Sequence, residues 1–266
     1  MNFDNIAKLV RDTGIAKVHN FLNEDEVARI KIAISNFLEK KTNPITHYSV
    51  KKSSLLIKLL KFDLEKFLSS IILLKISKQK KMKEIADLIF EEQSELTMID
   101  AYKSPVSHAE VLPWHIDKAY DGAKVPYLPF HHPDSCSIKF FIYLTNVGHN
   151  NGCTSYIPGS HKITYALRKG LQEKKIKYSP HWKLHDLKNF INHIDNISYF
   201  KKYFNGTRIL DQFMEDVKEE NLNNYDFNMS PGDAIIFDEG GVHKGSKTLI
   251  NERVVLRYLF FRKKFC

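Results

Sequence analysis

Apolar and polar positions along this chain follow two different periods. Over roughly the first ninety residues apolar side chains recur at helical spacing. In NEDEVARIKIAISNFLEK, Val27, Ile30, Ile34 and Phe37 share one face; Asn23 is placed to cap the first turn, and Glu26 completes a capping box three residues on. That spacing predicts an amphipathic helix lying on another layer. The preceding IAKVHNFL alternates as a short strand does, and 53–76 and 79–90 predict further helices with lysines on their outer faces. From Leu96 onward the period shortens. LTMIDAY, SIKFFIYLT, CTSYI, DAIIF and ERVVLRYLFF are β-branched and aromatic runs separated by turn residues, predicting an antiparallel β core. Lys- and Asn-rich, partly helical sequence (ITYALRKGLQEKK, LHDLKNFINHI) interrupts that core between 161 and 228. It is too long for a turn, and reads as an excursion over the mouth of a barrel.

The fold class expected is therefore mixed α and β, mainly β at its centre. One domain is expected over 1–266: a mostly helical support (1–92), a β core (93–160 and 225–262) and a partly helical insertion (161–224). A chain of 266 residues, 43% hydrophobic and with only 11 Gly and 9 Pro, buries a sizeable core, and no Pro/Gly/Ser stretch suggests a linker. No internal repeat is present.

Charge narrows the partners. The net charge of +9 favours an anionic ligand, but the lysines are scattered over predicted solvated faces, which argues against nucleic acid. Three cysteines, Cys136, Cys153 and Cys266, have no C-x-x-C spacing, so neither a disulfide framework nor a structural zinc site is expected. Reduced thiols point to the cytoplasm. The acidic N-terminal stretch is not a signal peptide, and the apolar run 71–74 is far too short to span a bilayer.

The chemistry concentrates in three places. In PWHIDKAY, His115 and Asp117 are two apart, so in an extended segment they leave one face and reach one ion. A distant His would complete the two-His, one-carboxylate set of non-haem Fe(II). His243 in DAIIFDEGGVHKGS is that candidate, with Gly240 and Gly241 allowing a tight backbone path that turns it inward. Ten residues on, Arg253 opens the strand RVVLRYLFF, where it shares a face with Val255, Arg257 and Leu259. An inward arginine needs an anion, and guanidinium grips carboxylate bidentately. Spacing leaves Arg253 and Arg257 as rival anchors. His131, His132 and His149 sit in loops without a partner at metal spacing. His181 and His185 are four apart, as on a zinc-binding helix face, but lack a third ligand.

Four blocks carry a family resemblance: PWHIDKAY, KFFIYLTNVGHNNGCTSYIPGSHK, SPGDAIIFDEGGVHKGS and NERVVLRY. With TGIAKVHNFLNEDEVARI, they make the chain, from about Gly14 to Phe261, resemble the phytanoyl-CoA dioxygenase family of Fe(II)/2-oxoglutarate oxygenases. The resemblance implies a double-stranded β-helix, a jelly-roll of cupin-like type with helices outside. It implies Fe(II) on His115, Asp117 and His243, and 2-oxoglutarate held through its distal carboxylate by Arg253 rather than Arg257. It places Tyr102, Phe141 and Ser246 where the family touches the co-substrate, and His161 in a structural exit turn. The implied reaction is hydroxylation or desaturation of a small molecule with O2, releasing succinate and CO2. With Tyr120, Tyr127 and Phe130 as apolar walls and Lys103, Lys118 and Lys124 as charges near the mouth, a small anionic or amphipathic metabolite is the expected substrate. Two readings stay open at this point: a barrel that binds metal or ligand without turnover, and a zinc hydrolase using the same His/Asp/His set.

Overall fold

The computed structural model describes residues 2–39, 46–51, 64–117 and 137–263. Helix α1 (Phe3–Thr13) leads to β1 (Ile15–Val18), α2 (Glu24–Glu39), β2 (Thr46–Lys51), α3 (Leu64–Gln79) and α4 (Met82–Phe90). Strands β3 (Ser94–Ser104), β4 (Ser107–His115), β5 (Ser137–Tyr143) and β6 (Thr154–Tyr156) follow. The insertion contains α5 (Ser160–Gln172), α6 (Leu184–Asn192), α7 (Ile194–Tyr203), α8 (Ile209–Asp216) and a 3-10 turn (Glu219–Tyr225). The described chain ends with β7 (Ala234–Asp238), β8 (His243–Thr248) and β9 (Arg253–Arg262).

The strands form two antiparallel sheets, a larger one ordered β1-β7-β5-β9-β3-β2 and a smaller one ordered β4-β8-β6. Alternation along β5 and β9 sorts their side chains into two layers. Ile138, Phe140, Ile142, Leu256 and Phe260 meet Val10, Ile30, Ile34, Ile85 and Ile89 of the N-terminal helices. From the opposite face Phe141, Tyr143 and Val255 join Phe237 of β7 and Tyr156 of β6 in a core between the sheets. Burying one such side chain contributes about 1.5–3 kcal/mol. A one-residue slip of β5 would reverse all of them and drive Lys139 into the helical layer, so the register is strongly specified.

The helical layer follows its sequence signals. Asn23 Oδ1 accepts from Glu26 N at 2.9 Å while Glu26 Oε2 accepts from Asn23 N at 2.8 Å, the reciprocal capping box of α2. Val27, Ile30 and Ile34 are buried as expected; the Phe37 side chain and residues 53–63 of the helix expected over 53–76 lie outside the described residues. The helix expected over 79–90 begins later, at Met82, because the backbone turns through Lys81 with φ 53°. Three strands carried no clear signal. β2 is an edge strand paired to β3, and β4 and β8 are too polar for a hydrophobic pattern to reveal.

The insertion forms a third core in which Ile163, Leu167, Leu187 and Phe200 close on Ile116, Ile157 and Val242. It thus packs against the chain where β4 ends and β8 begins. Among the described residues no helix is long and apolar enough to cross a membrane.

Candidate metal and anion site

Strand β4 ends on His115 and β8 begins on His243, and the two are register partners in the smaller sheet. Both are buried, with ring centroids 4.4 Å apart. His115 Nδ1 donates to Pro113 O at 2.6 Å and His243 Nδ1 to Gly241 O at 2.8 Å. Each ring therefore carries a proton on Nδ1 and turns Nε2 toward the Asp117 carboxylate, the orientation a metal ligand needs. Burial, assisted by the neighbouring His115, also pushes the His243 pKa down and keeps it neutral, outweighing the pull of Asp117.

Asp117 does not share a strand face with His115, as an extended segment would have required. The strand stops at His115, and a turn brings the carboxylate round, fixed by Ile116 N to Trp182 O at 3.0 Å and Asp117 N to Glu239 O at 3.1 Å. Its Oδ1 lies 3.6 Å from His115 Nε2 and its Oδ2 3.4 Å from His243 Nε2. One donor atom from each of the three residues falls within 4.8 Å of the others, and among the described residues this is the one such group of three or more. Two neutral imidazoles and a carboxylate on one side of a point suit a divalent transition metal. Burial raises the Asp117 pKa, but Lys139 and the two histidines more than offset this and hold it well below the usual carboxylate range.

Gly240 and Gly241 serve this turn differently from what the sequence suggested. Neither has a positive φ. Gly241 is required for space: a Cβ there would lie 1.9 Å from Tyr156 Oη, on a ring stacked 6.3 Å from His243.

Two charged residues beside Asp117 escaped the sequence reading. Lys139, in the middle of β5, donates to Asp117 Oδ2 and lies 3.2 Å from Glu239 Oε2. Ser137 donates to Glu239 Oε1. Burial disfavours the Lys139 ammonium, yet the two carboxylates raise its pKa above the ordinary lysine value. A lysine of inward parity in SIKFFIY was the available signal.

Arg253 and Arg257, the rival anchors, stand in opposite electrostatic states. Arg257 Nε donates to Asp100 at 2.7 Å and its Nη2 completes a bidentate pair with the same carboxylate. Arg253 is 3% exposed; Nη2 donates to Thr154 Oγ1 at 3.2 Å, while Nε has no partner. No carboxylate pairs with it among the described residues. Tyr143 Oη donates to the same Thr154 Oγ1 at 2.8 Å, and the Arg253 guanidinium lies 6.0 Å from the Tyr143 ring centroid. Gly152, at φ 72°, makes room, since a Cβ there would meet Arg253 Cδ at 2.9 Å. Tyr143, Thr154 and Gly152 thus surround Arg253, and none of them carried a separate signal in the sequence.

The remaining candidates separate. Tyr102 and Phe141 meet edge to face at 6.2 Å, Phe141 meets Phe237 at 5.0 Å and Phe237 meets His243 at 5.3 Å, an aromatic wall running to the three donors. Ser246 is buried and in contact with Cys153 Sγ at 3.1 Å. Lys103 is paired with Glu252 at 2.6 Å. His161 is buried in the first turn of α5 with Nε2 3.1 Å from Arg11 O, a structural position. His149 pairs with Asp226 at 2.6 Å. His181 precedes α6 and is buried, whereas His185 lies on that helix beside Asn189, so the two do not share a helix face. Lys118, Tyr120, Lys124, Tyr127, Phe130, His131, His132, Cys136 and Cys266 lie outside the described residues.

A family model described as phytanoyl-CoA dioxygenase (PhyH) matches residues 10–249. The chain belongs to the phytanoyl-CoA dioxygenase (PhyH) family. The PhyH match includes all three donors and ends shortly before Arg253. No curated protein matches the sequence. Solved structures share the fold at low identity. HygX from Streptomyces hygroscopicus, with nickel and 2-oxoglutarate bound, is 12% identical at a TM-score of 0.56, over 97% of this chain and 87% of its own. EvdO2 from Micromonospora carbonacea var. aurantiaca, complexed with 2-oxoglutarate, is 17% identical at 0.55, over 97% and 90%. SnoK, a non-haem α-ketoglutarate-dependent carbocyclase from nogalamycin biosynthesis, is 14% identical at 0.55, over 97% and 83%. Against this PhyH-family background, the donor set and the unpaired Arg253 are the features of the chain to be explained.

Proposed function

We propose that the protein is an Fe(II)- and 2-oxoglutarate-dependent oxygenase, with His115, Asp117 and His243 as metal ligands and Arg253 as the anchor of the co-substrate's distal carboxylate. One observation carries the reading. A three-donor site with both Nδ1 atoms tied to main-chain carbonyls adjoins the same inter-sheet core as a buried guanidinium that lacks an acidic partner. A buried unpaired cation is costly unless a ligand neutralises it. A dicarboxylate binding metal at one end and Arg253 at the other meets both requirements. A zinc hydrolase would give Arg253 no task.

When bound, iron and 2-oxoglutarate supply the oxidising chemistry, and the co-substrate leaves as succinate and CO2. The chain positions them. The carbonyls of Pro113 and Gly241 hold the two imidazoles in one tautomer, Glu239 O fixes the Asp117 turn, and Thr154 with Tyr143 aims the Arg253 guanidinium. Tyr102 and Phe141 form an apolar wall that excludes water, and Ser246 lies at the co-substrate's edge. The sheets are read as the two halves of a double-stranded β-helix within one domain, and the insertion as support for the metal turns. The buried free thiol of Cys153 fits a reducing cytoplasm.

The substrate is read as a small anionic or amphipathic metabolite, oxidised at a C–H bond by hydroxylation or desaturation; the net charge of +9 supports an anionic group. Succinate formation is the test. Anaerobically reconstituted protein, given 2-oxoglutarate and then O2, is expected to release succinate dependent on Fe(II), with a higher rate when a metabolite panel contains the substrate. Metal binding without succinate across a broad panel would instead favour a non-catalytic binder. Activity with zinc and no O2 would overturn the oxygenase.

A further inference from the structure

We infer that Lys139 and Glu239 act as a neutral pair that restricts Asp117 to a single oxygen for the metal. The inference rests on the metal site proposed above. Lys139 is on the inward face of β5, its side chain 7% exposed, and its ammonium is shared between Asp117 Oδ2 and Glu239 Oε2. Glu239, 3% exposed at its side chain, is held by the Ser137 hydroxyl. The same residue binds Asp117 a second time, since its main-chain oxygen accepts from Asp117 N at 3.1 Å. Glu239 therefore fixes both the backbone of Asp117 and, through Lys139, one of its carboxylate oxygens.

The charges make this arrangement directional. Lys139 and Glu239 sum to zero, so the pair leaves the net charge presented to a dication unchanged. What it changes is which oxygen is available. Oδ2, although 3.4 Å from His243 Nε2, carries the ammonium's hydrogen bond, so Oδ1, 3.6 Å from His115 Nε2, is the oxygen without a charged partner and remains for the metal. Two imidazoles and one oxygen leave open positions on an octahedral ion for a chelating keto acid and O2. An Asp117 free to bind through both oxygens would remove one of them. Lys139 and Glu239 are thus positioning residues that act through Asp117.

The K139M/E239M double variant tests this. It removes a neutral buried pair in favour of apolar side chains of similar length, a replacement that proteins often tolerate. The wild type and the variant are titrated with Mn(II), the waters on bound Mn(II) are counted by water-proton relaxation, and 2-oxoglutarate is then titrated in. The expected result is retained Mn(II) binding, one fewer metal-bound water and 2-oxoglutarate binding weakened by about 10–100-fold, with K139R keeping the wild-type water count. An unchanged water count and unchanged 2-oxoglutarate affinity in the double variant would overturn the inference while leaving the oxygenase reading intact. Failure of the wild type to bind Mn(II) would remove the metal site and the inference together. If the double variant does not fold, E239Q decides. It leaves the ammonium to Asp117 alone, in competition with the metal, and is expected to weaken Mn(II) binding about tenfold; undiminished binding would overturn the inference.

Discussion

His115 and His243 are cross-strand partners in the smaller sheet, and each gives its Nδ1 proton to the main-chain carbonyl two residues before it. The strand pairing sets the spacing of the rings, and the carbonyls set their tautomers. Two neutral imidazoles 4.4 Å apart can share a dication, whereas two imidazoliums at that distance would repel.

Removing either ring should therefore abolish tight metal binding without unfolding the protein. For H115A and H243A we expect Mn(II) affinity to fall on the order of 100-fold, while the far-UV circular dichroism of the metal-free protein is retained. Tight binding to H243A would exclude it as a ligand.

The two arginines of β9 should separate cleanly. R253A is expected to weaken 2-oxoglutarate binding by about 10–100-fold, the contribution of a charge-assisted hydrogen-bonded pair, with Tm little changed. R257A leaves Asp100, 0% exposed, without its bidentate partner, and should cost about 3–5 kcal/mol of stability. Urea unfolding and co-substrate titration of both variants read the two effects, and the reverse pattern would make Arg257 the anchor.

Two glycines shape the site through space. G152A forces a side chain into Arg253 at a left-handed backbone position, and is expected to raise the KM for 2-oxoglutarate by an amount approaching that of R253A. G241A drives Tyr156 toward His243, costs about 1–3 kcal/mol by overpacking and weakens metal binding. An active G241A enzyme of wild-type Tm would contradict the tight contact seen here.

Acid should destabilise the metal-free protein through His181. Burial lowers its folded-state pKa to about 4, below an unfolded value of about 6.5. The unfolded chain then binds the proton first, so the contribution is complete above pH 6.5 and is lost as pH falls toward 4. The difference amounts to about 3 kcal/mol at most. Burial also lowers the His161 pKa, so the measurement is a difference. H181F, packed beside Phe190, should show a shallower fall in stability between pH 6.5 and 4 than the wild type. Parallel curves would refute the assignment.

Much of this architecture was legible along the chain. Runs of β-branched and aromatic residues bounded by turn residues located β3, β5, β6, β7 and β9, because such side chains favour a pleated, buried surface. The capping box placed α2, since its partners are three residues apart. Short-range spacing also marked His115, Asp117, His243 and Arg253 as candidates. The polar strands β4 and β8 left no such pattern, although they carry the two histidines.

What remained was decided by contacts between residues distant in sequence. Spacing left Arg253 and Arg257 equal; Asp100, 157 residues before Arg257, neutralises one and leaves the other open. Asp117 reaches the histidines through a turn bound to Glu239, not through strand parity. Lys139 shows in the sequence only as a lysine within an apolar strand, and the approach of the Asp117 and Glu239 carboxylates is what makes it part of the site. Local periodicity determined which residues form elements and which face they bury, because those preferences act over a turn or a strand. The charge balance of the interior was settled only by tertiary structure, because burying an ion depends on a partner that local sequence does not specify.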